Sequence, residues 1–128
     1  PIKIHGNVDR IDELNGTIRV IDYKTGSVEA GNLKVPDLSS IADEKYSKAI
    51  QVLLYSYMFS KTNKIAASFE GGIISFKNLN GGFLKINFDK NDHEITQEKL
   101  DEFIVSIKEL IQELFDINIP FTEKIHKK

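Results

Sequence analysis

The dipeptide Asn15-Gly16 constrains this chain more than any other feature. A two-residue type I′ turn needs positive φ at both central positions, and Asn-Gly adopts that conformation with the least strain. Ile11, Leu14, Ile18, Val20 and Ile21 flank it, the residue types that favour strands. The sequence therefore predicts a hairpin over residues 2–25, with Ile2 and Ile4 at the start of its first strand. The turn also fixes the register. Leu14 faces Thr17, Asp12 faces Arg19, and Asp9 faces Asp22.

Asp12 and Arg19 make an ordinary cross-strand charge match, worth about a few tenths of a kcal/mol. Asp9 and Asp22 do not. Two carboxylates with Cβ atoms ~5 Å apart repel one another, and such a pair is compensated by a proton, a cationic side chain or a metal ion. Alternation puts Lys24 on the same strand face as Asp22, a face shared with the core-type residues Ile11, Ile18 and Val20. The acidic pair thus sits at the edge of an apolar patch, at the end of the hairpin away from the turn. Two hard oxygen ligands suit Mg²⁺ or Mn²⁺ and not zinc. A lysine beside them can orient a water or stabilise charge developing on a phosphate. A one-residue bulge would break this register.

The rest of the chain reads as a second hairpin and two helices. Residues 26–42, with Gly26, Gly31 and Pro36, form a long connection without clear periodicity, the kind that is often functional or mobile. A helix runs from Asp43 to Lys61 on a stripe of Tyr46, Ile50, Leu53, Leu54, Tyr57 and Met58. Residues 65–76 read as a strand that Glu70-Gly71-Gly72 bulges or splits. Asn78 to Gly82 is a turn, and 83–88 alternates as a strand. Thr96 caps a last helix from Gln97 to Asp116, whose stripe is Leu100, Phe103, Ile104, Ile107, Leu110, Ile111 and Leu114. The order ββ-α-ββ-α gives an α/β fold: a mixed central β-sheet of two hairpins, flanked by helices.

A chain of 128 residues makes a single domain. It begins directly in a strand and ends in a basic stub (Lys124, His126, Lys127, Lys128), which suggests a C-terminal fragment of a longer protein. With 17 basic against 19 acidic residues, contact with a polyanion has to be local. The absence of cysteine excludes a disulfide framework, a thiolate zinc site and an iron–sulfur cluster within this segment. It is compatible with a cytoplasmic location. No apolar run approaches the ~18 residues that cross a bilayer, so no membrane is expected as a partner. His93 in a polar turn and His126 in the basic stub read as solvated.

The runs Gly6-Asn7-Val8-Asp9-Arg10-Ile11-Asp12 and Asp22-Tyr23-Lys24-Thr25-Gly26, followed by Gln51 and Tyr55, resemble the PD-(D/E)xK nuclease superfamily. They are most similar to the RecB-like nuclease domain of AddB and RecB helicase–nuclease subunits. The motifs are specific in combination and cover residues 6–55; beyond that the likeness is general architecture. The resemblance implies a restriction-endonuclease-like core that lacks its first helix. It implies a Mg²⁺- or Mn²⁺-dependent deoxyribonuclease, an exonuclease acting in double-strand-break repair and recombination. Asp9 and Asp22 would be the metal ligands, Lys24 the catalytic lysine, and Gln51 the helix residue that supports the centre. Tyr55, Arg10 and Thr25 would contact substrate. The partners implied are single-stranded DNA and helicase domains of the same chain or a partner subunit. Tyr23, on the face opposite Lys24, would pack, while Gly6 and Gly26 would serve the backbone as a close approach and a turn.

The chain departs from the family in starting too late for the acidic or His residue usually found on an upstream helix, and His5 is a poor substitute. Nor does it hold the cysteines that follow the final helix in many AddB-type nucleases. Without its upstream helix the fragment alone is expected to be weakly active or inactive. Two rival readings share the motifs. One is an inactive structural or DNA-binding module of a helicase–nuclease complex. The other is a phage-type or CRISPR-associated exonuclease of the same superfamily.

Overall fold

The fold comes from a computed structural model, which describes residues 8–41, 43–63 and 68–115. Expectations for Ile2, Ile4, His5, Gly6, Asn7, Ile65, Asp116, His126 and the terminal lysines lie outside these residues, as does that for the Leu114 side chain. Strand β1 (Arg10–Leu14) and strand β2 (Thr17–Lys24) form the hairpin around Asn15 and Gly16, whose φ angles are 52° and 83°. The register is the one the turn dictates: Leu14 opposite Thr17, Asp12 opposite Arg19, Arg10 opposite Ile21.

Helix α1 (Ser47–Thr62), strand β3 (Glu70–Ser75), strand β4 (Phe83–Lys85) and helix α2 (Gln97–Phe115) follow. The sheet order is β1-β2-β3-β4, antiparallel except for the parallel β2–β3 pair. A parallel pair needs a long crossover, and residues 25–69 with α1 supply it. That crossover brings Val20, Asp22 and Lys24 alongside Gly71, Ile73 and Ser75.

Gly71 and Gly72 neither bulge nor split the strand. Both lie in the ladder, because only glycine fits there. A Cβ on Gly71 would meet Ser56 Oγ at 3.0 Å and Val52 Cγ1 at 3.1 Å, and one on Gly72 would meet the Leu84 carbonyl oxygen at 2.0 Å. Helix α1 therefore lies close on the sheet. Its buried residues are Ala49, Val52, Leu53 and Ser56, a stripe rotated toward small side chains from the one its large apolar residues predict. Tyr46, Ile50, Leu54 and Tyr57 are only half-buried at its edges. A 3-10 turn at Glu44–Tyr46, capped by Asp43, leads into α1 and shifts its start to Ser47.

The connection 26–42 belongs to the core. Val28, Leu33, Val35, Leu38 and Ile41 are each 6% exposed or less, and burying side chains of this size stabilises by about 1.5–3 kcal/mol each. Residues 33–35 also pair with the chain beyond β4. Val35 N–H donates to the Asn87 carbonyl at 2.8 Å, and Asn87 N–H donates to that of Leu33 at 2.9 Å. The predicted strand 83–88 therefore ends early against β3, since its later residues serve this second partner. Helix α2 buries Leu100, Phe103, Ile104 and Ile107. Its Thr96 cap accepts from Lys99 N–H at 3.2 Å, and Ser106 Oγ ties it to the Leu38 carbonyl at 2.8 Å.

Two sequence expectations fail on this face. Ile11 is 45% exposed, because α1 packs over β2 and β3 and not over the edge strand. His93 is half-buried, with Nδ1 3.0 Å from the Ile86 carbonyl.

Candidate active site

The site forms where β2 ends beneath α1. Asp22 is 5% exposed, on the sheet face that α1 covers. Alternation brings Lys24 to the same face, and its Nζ lies 3.0 Å from Asp22 Oδ2. Asp9 precedes the β1 ladder, which ends at Arg10 opposite Ile21. Its carboxylate turns back onto β2 and accepts the Tyr23 N–H at 2.9 Å, which also brings it within hydrogen-bonding reach of Asp22. The opposed carboxylates and the lysine are thus brought together, with Asp9 held by its side chain instead of by a backbone ladder.

From the helix above, Gln51 Oε1 accepts a hydrogen bond from Lys24 Nζ. Gln51 Nε2 donates to the Tyr55 hydroxyl at 3.2 Å, one helical turn on. Tyr55 therefore fixes the amide so that its oxygen faces the lysine. Thr25 follows Lys24 directly and is exposed.

Arg10 is not brought to the site. It lies on the opposite sheet face, where it donates to the Tyr23 hydroxyl at 3.3 Å and pairs with Asp12 at 3.1 Å. Tyr23 stacks on Phe76 there, with ring centroids 5.7 Å apart. Gly26 has open space around its Cβ position and no positive φ, so its backbone does not require glycine.

The two carboxyl groups have been driven apart in acidity. The Tyr23 amide is the main cause holding Asp9 below the usual carboxylate range, and Lys24 adds to it. Burial pushes Asp22 up; Lys24 opposes this and the charge of Asp9 reinforces it. Lysine alone therefore does not compensate the buried carboxylate. Asp22 Oδ2 is buried, and the partner it meets is the Lys24 ammonium.

A buried carboxylate oxygen met by a single ammonium, beside a second carboxylate, fits a hard divalent cation. Mg²⁺ is commonly held by one or two carboxylates, with water and phosphate oxygens completing its shell. No group of three or more His, Cys, Asp or Glu ligands occurs among the described residues; of these, Asp9 and Asp22 are the two carboxylates that would hold the ion.

Sequence reasoning missed Ser75. It is fully buried and pairs with Lys24 across the parallel strands. A polar residue following Ile73 and Ile74 is its only trace in the sequence. A model of the PD-(D/E)XK nuclease superfamily matches residues 1–126. No curated protein and no solved structure matches the chain.

Proposed function

The chain belongs to the PD-(D/E)XK nuclease superfamily, whose members typically hydrolyse nucleic-acid phosphodiesters with divalent metal ions, and from that premise we propose that it is a Mg²⁺-dependent deoxyribonuclease. The observation that carries this reading is the buried carboxylate of Asp22, coupled to Asp9 and 3.0 Å from the Lys24 ammonium. Asp9 and Asp22 would hold the ion. A bound Mg²⁺ or Mn²⁺ supplies Lewis acidity toward the scissile phosphate and toward a water.

The remaining work falls to the chain's own side chains. Lys24 is only 29% exposed; where water is largely excluded, its ammonium orients the attacking water or stabilises charge forming on the phosphate. Gln51 keeps Nζ aimed by accepting one of its hydrogens, and Tyr55 keeps Gln51 from flipping its amide. Thr25, exposed beside the lysine, is placed to meet the sugar–phosphate chain. Arg10 would reach substrate only across the opposite face.

The order of the motifs, from the Asp9 run through Asp22-Tyr23-Lys24-Thr25-Gly26 to Gln51 and Tyr55, supports the RecB-like branch. On that resemblance rest the finer proposals: exonucleolytic action on single-stranded DNA in double-strand-break repair and recombination, helicase domains as partners, and a cytoplasmic location. No helix among the described residues is long and apolar enough to cross a membrane.

Calorimetric titration of Mn²⁺, run beside cleavage of end-labelled single-stranded DNA, tests the reading. Mn²⁺ binding and weak EDTA-sensitive cleavage that strengthens on extension upstream of residue 1 are expected in the parent, and loss of both in an Asp9→Ala, Asp22→Ala variant. A protein that neither binds Mn²⁺ nor cuts, also when extended upstream of residue 1, would refute it.

A further inference from the structure

The chain leaves the site under restraint. Immediately after Lys24 it passes through Thr25, Gly26 and Ser27, all exposed. Gly26 carries no steric restraint of its own. Two side chains from a region about fifty residues later hold this segment. Ser75 Oγ, fully buried, donates to the Gly26 carbonyl at 2.7 Å. Asn78 Nδ2, in the turn before β4, donates to the Val28 carbonyl at 2.9 Å. Between them Phe76 N–H donates to the Lys24 carbonyl at 2.9 Å.

We propose that Ser75 and Asn78 are positioning residues, which clamp the segment following Lys24 to the β3–β4 side of the sheet and so hold Lys24 and Thr25 in their working places. The inference rests on the nuclease reading of the site and adds to it two residues that touch no reacting atom.

The argument is geometric. β2 ends at Lys24, so the lysine has ladder contacts on its N-terminal side and an irregular chain on its other side. Residues at strand ends fray unless tied. The clamp ties the chain two and four residues beyond Lys24, through carbonyls that no strand partner occupies. It also directs the chain toward Val28, which is 1% exposed. Without the two donors, the Gly26 carbonyl loses its partner and Gly26 regains its conformational freedom. Thr25 and the backbone of Lys24 then sample other positions. Small misplacements of this kind lower kcat steeply while leaving binding largely intact.

The test compares the parent with Ser75→Ala, Asn78→Ala and the double variant, all of which remove donors without adding bulk. Amide hydrogen exchange and the ¹⁵N signal of the Lys24 side chain report position directly, and steady-state cleavage reports its consequence. The expected result is exchange at residues 25–28 about tenfold faster, with that of α2 unchanged, as for local opening. The Lys24 signal shifts, and kcat falls about tenfold or more at unchanged KM, as for a misplaced group. The double variant should exceed either single one. Unchanged exchange and an unchanged Lys24 signal would overturn the clamp, as would faster exchange that leaves kcat at the parental value. If the parent does not cut DNA, also when extended upstream of residue 1, the nuclease reading fails while the exchange and Lys24 signals still decide the clamp.

Discussion

Lys24 Nζ stands 3.0 Å from Asp22 Oδ2, two residues along the same strand. The contact follows from strand geometry, since residues of equal parity share a face. Its energetics are less simple. The lysine side chain is 29% exposed and that of the aspartate 7%, so Asp22 loses more hydration than the lysine returns. Its pKa stays raised in spite of the ion pair. The pair is therefore incomplete as a structural salt bridge and suited to receive a further cation.

Replacement of Lys24 by Ala is expected to lower kcat by about 10²–10³-fold, the loss typical of one preorganised donor to developing charge. The fold should survive, because the side chain is not part of the apolar core. Single-turnover cleavage with circular dichroism as control measures this. Activity close to the parent would remove Lys24 from the chemistry.

Asp22→Asn should abolish Mn²⁺ binding yet raise the Tm of the metal-free protein at neutral pH. Burial raises the folded-state pKa of Asp22 above its unfolded value near ~4. Between the two, the unfolded chain binds fewer protons, so stability falls as pH rises through that window and stays lowered above it. The amide removes the penalty. Thermal melts from acid to neutral pH, with and without Mn²⁺, report both effects. Mn²⁺ should raise the parental Tm and leave the variant unmoved; a variant less stable than the parent at neutral pH would contradict this account of Asp22.

Asp12 behaves in the opposite sense. Its carboxylate takes Arg19 Nε at 2.7 Å and the terminal guanidinium nitrogen at 2.6 Å, and that bidentate contact is the main cause holding its pKa low. The contribution to stability is present above the unfolded pKa and is lost as pH falls through the lowered folded value. The acid limb of the Tm profile should accordingly flatten in Asp12→Asn. An unchanged limb would show that the pair adds nothing beyond its geometry.

Glycine substitutions should separate tight packing from idle flexibility. Gly72→Ala would set a Cβ 2.0 Å from the Leu84 carbonyl oxygen, forcing β3 and β4 apart, and is expected to cost about 3 kcal/mol or more. Gly26→Ala meets open space at an ordinary φ and should be neutral or stabilise by about 0.4–1 kcal/mol through the unfolded chain. Urea unfolding of both variants decides it. Similar losses at the two positions would mean that contact with Leu84 is not what requires glycine.

The legible part of the site was the part governed by local rules. Positive φ at Asn15 and Gly16 set the turn, the turn set the register, and alternation placed Asp22 beside Lys24. The helix that carries Gln51 and Tyr55 was visible in its periodicity, although its buried stripe was not. Large apolar residues suggested a stripe rotated from the buried one, because the sheet offers Gly71 to the helix, where Val52 and Ser56 face it. Arg10 was misplaced for another reason. Proximity in a motif says nothing about sheet face, and Arg10 shares its face with Tyr23, not with Asp22.

By itself the sequence determined the hairpin, its register and the shared face of Asp22 and Lys24, since turn dihedrals and strand period act over a few residues. Only the tertiary structure decided that β3 pairs parallel to β2, that Gly71 and Gly72 continue a strand, that residues 28–41 build core, and that Ser75 stands beside Lys24. Those outcomes depend on shape fit between segments tens of residues apart, where no local preference of the chain reaches.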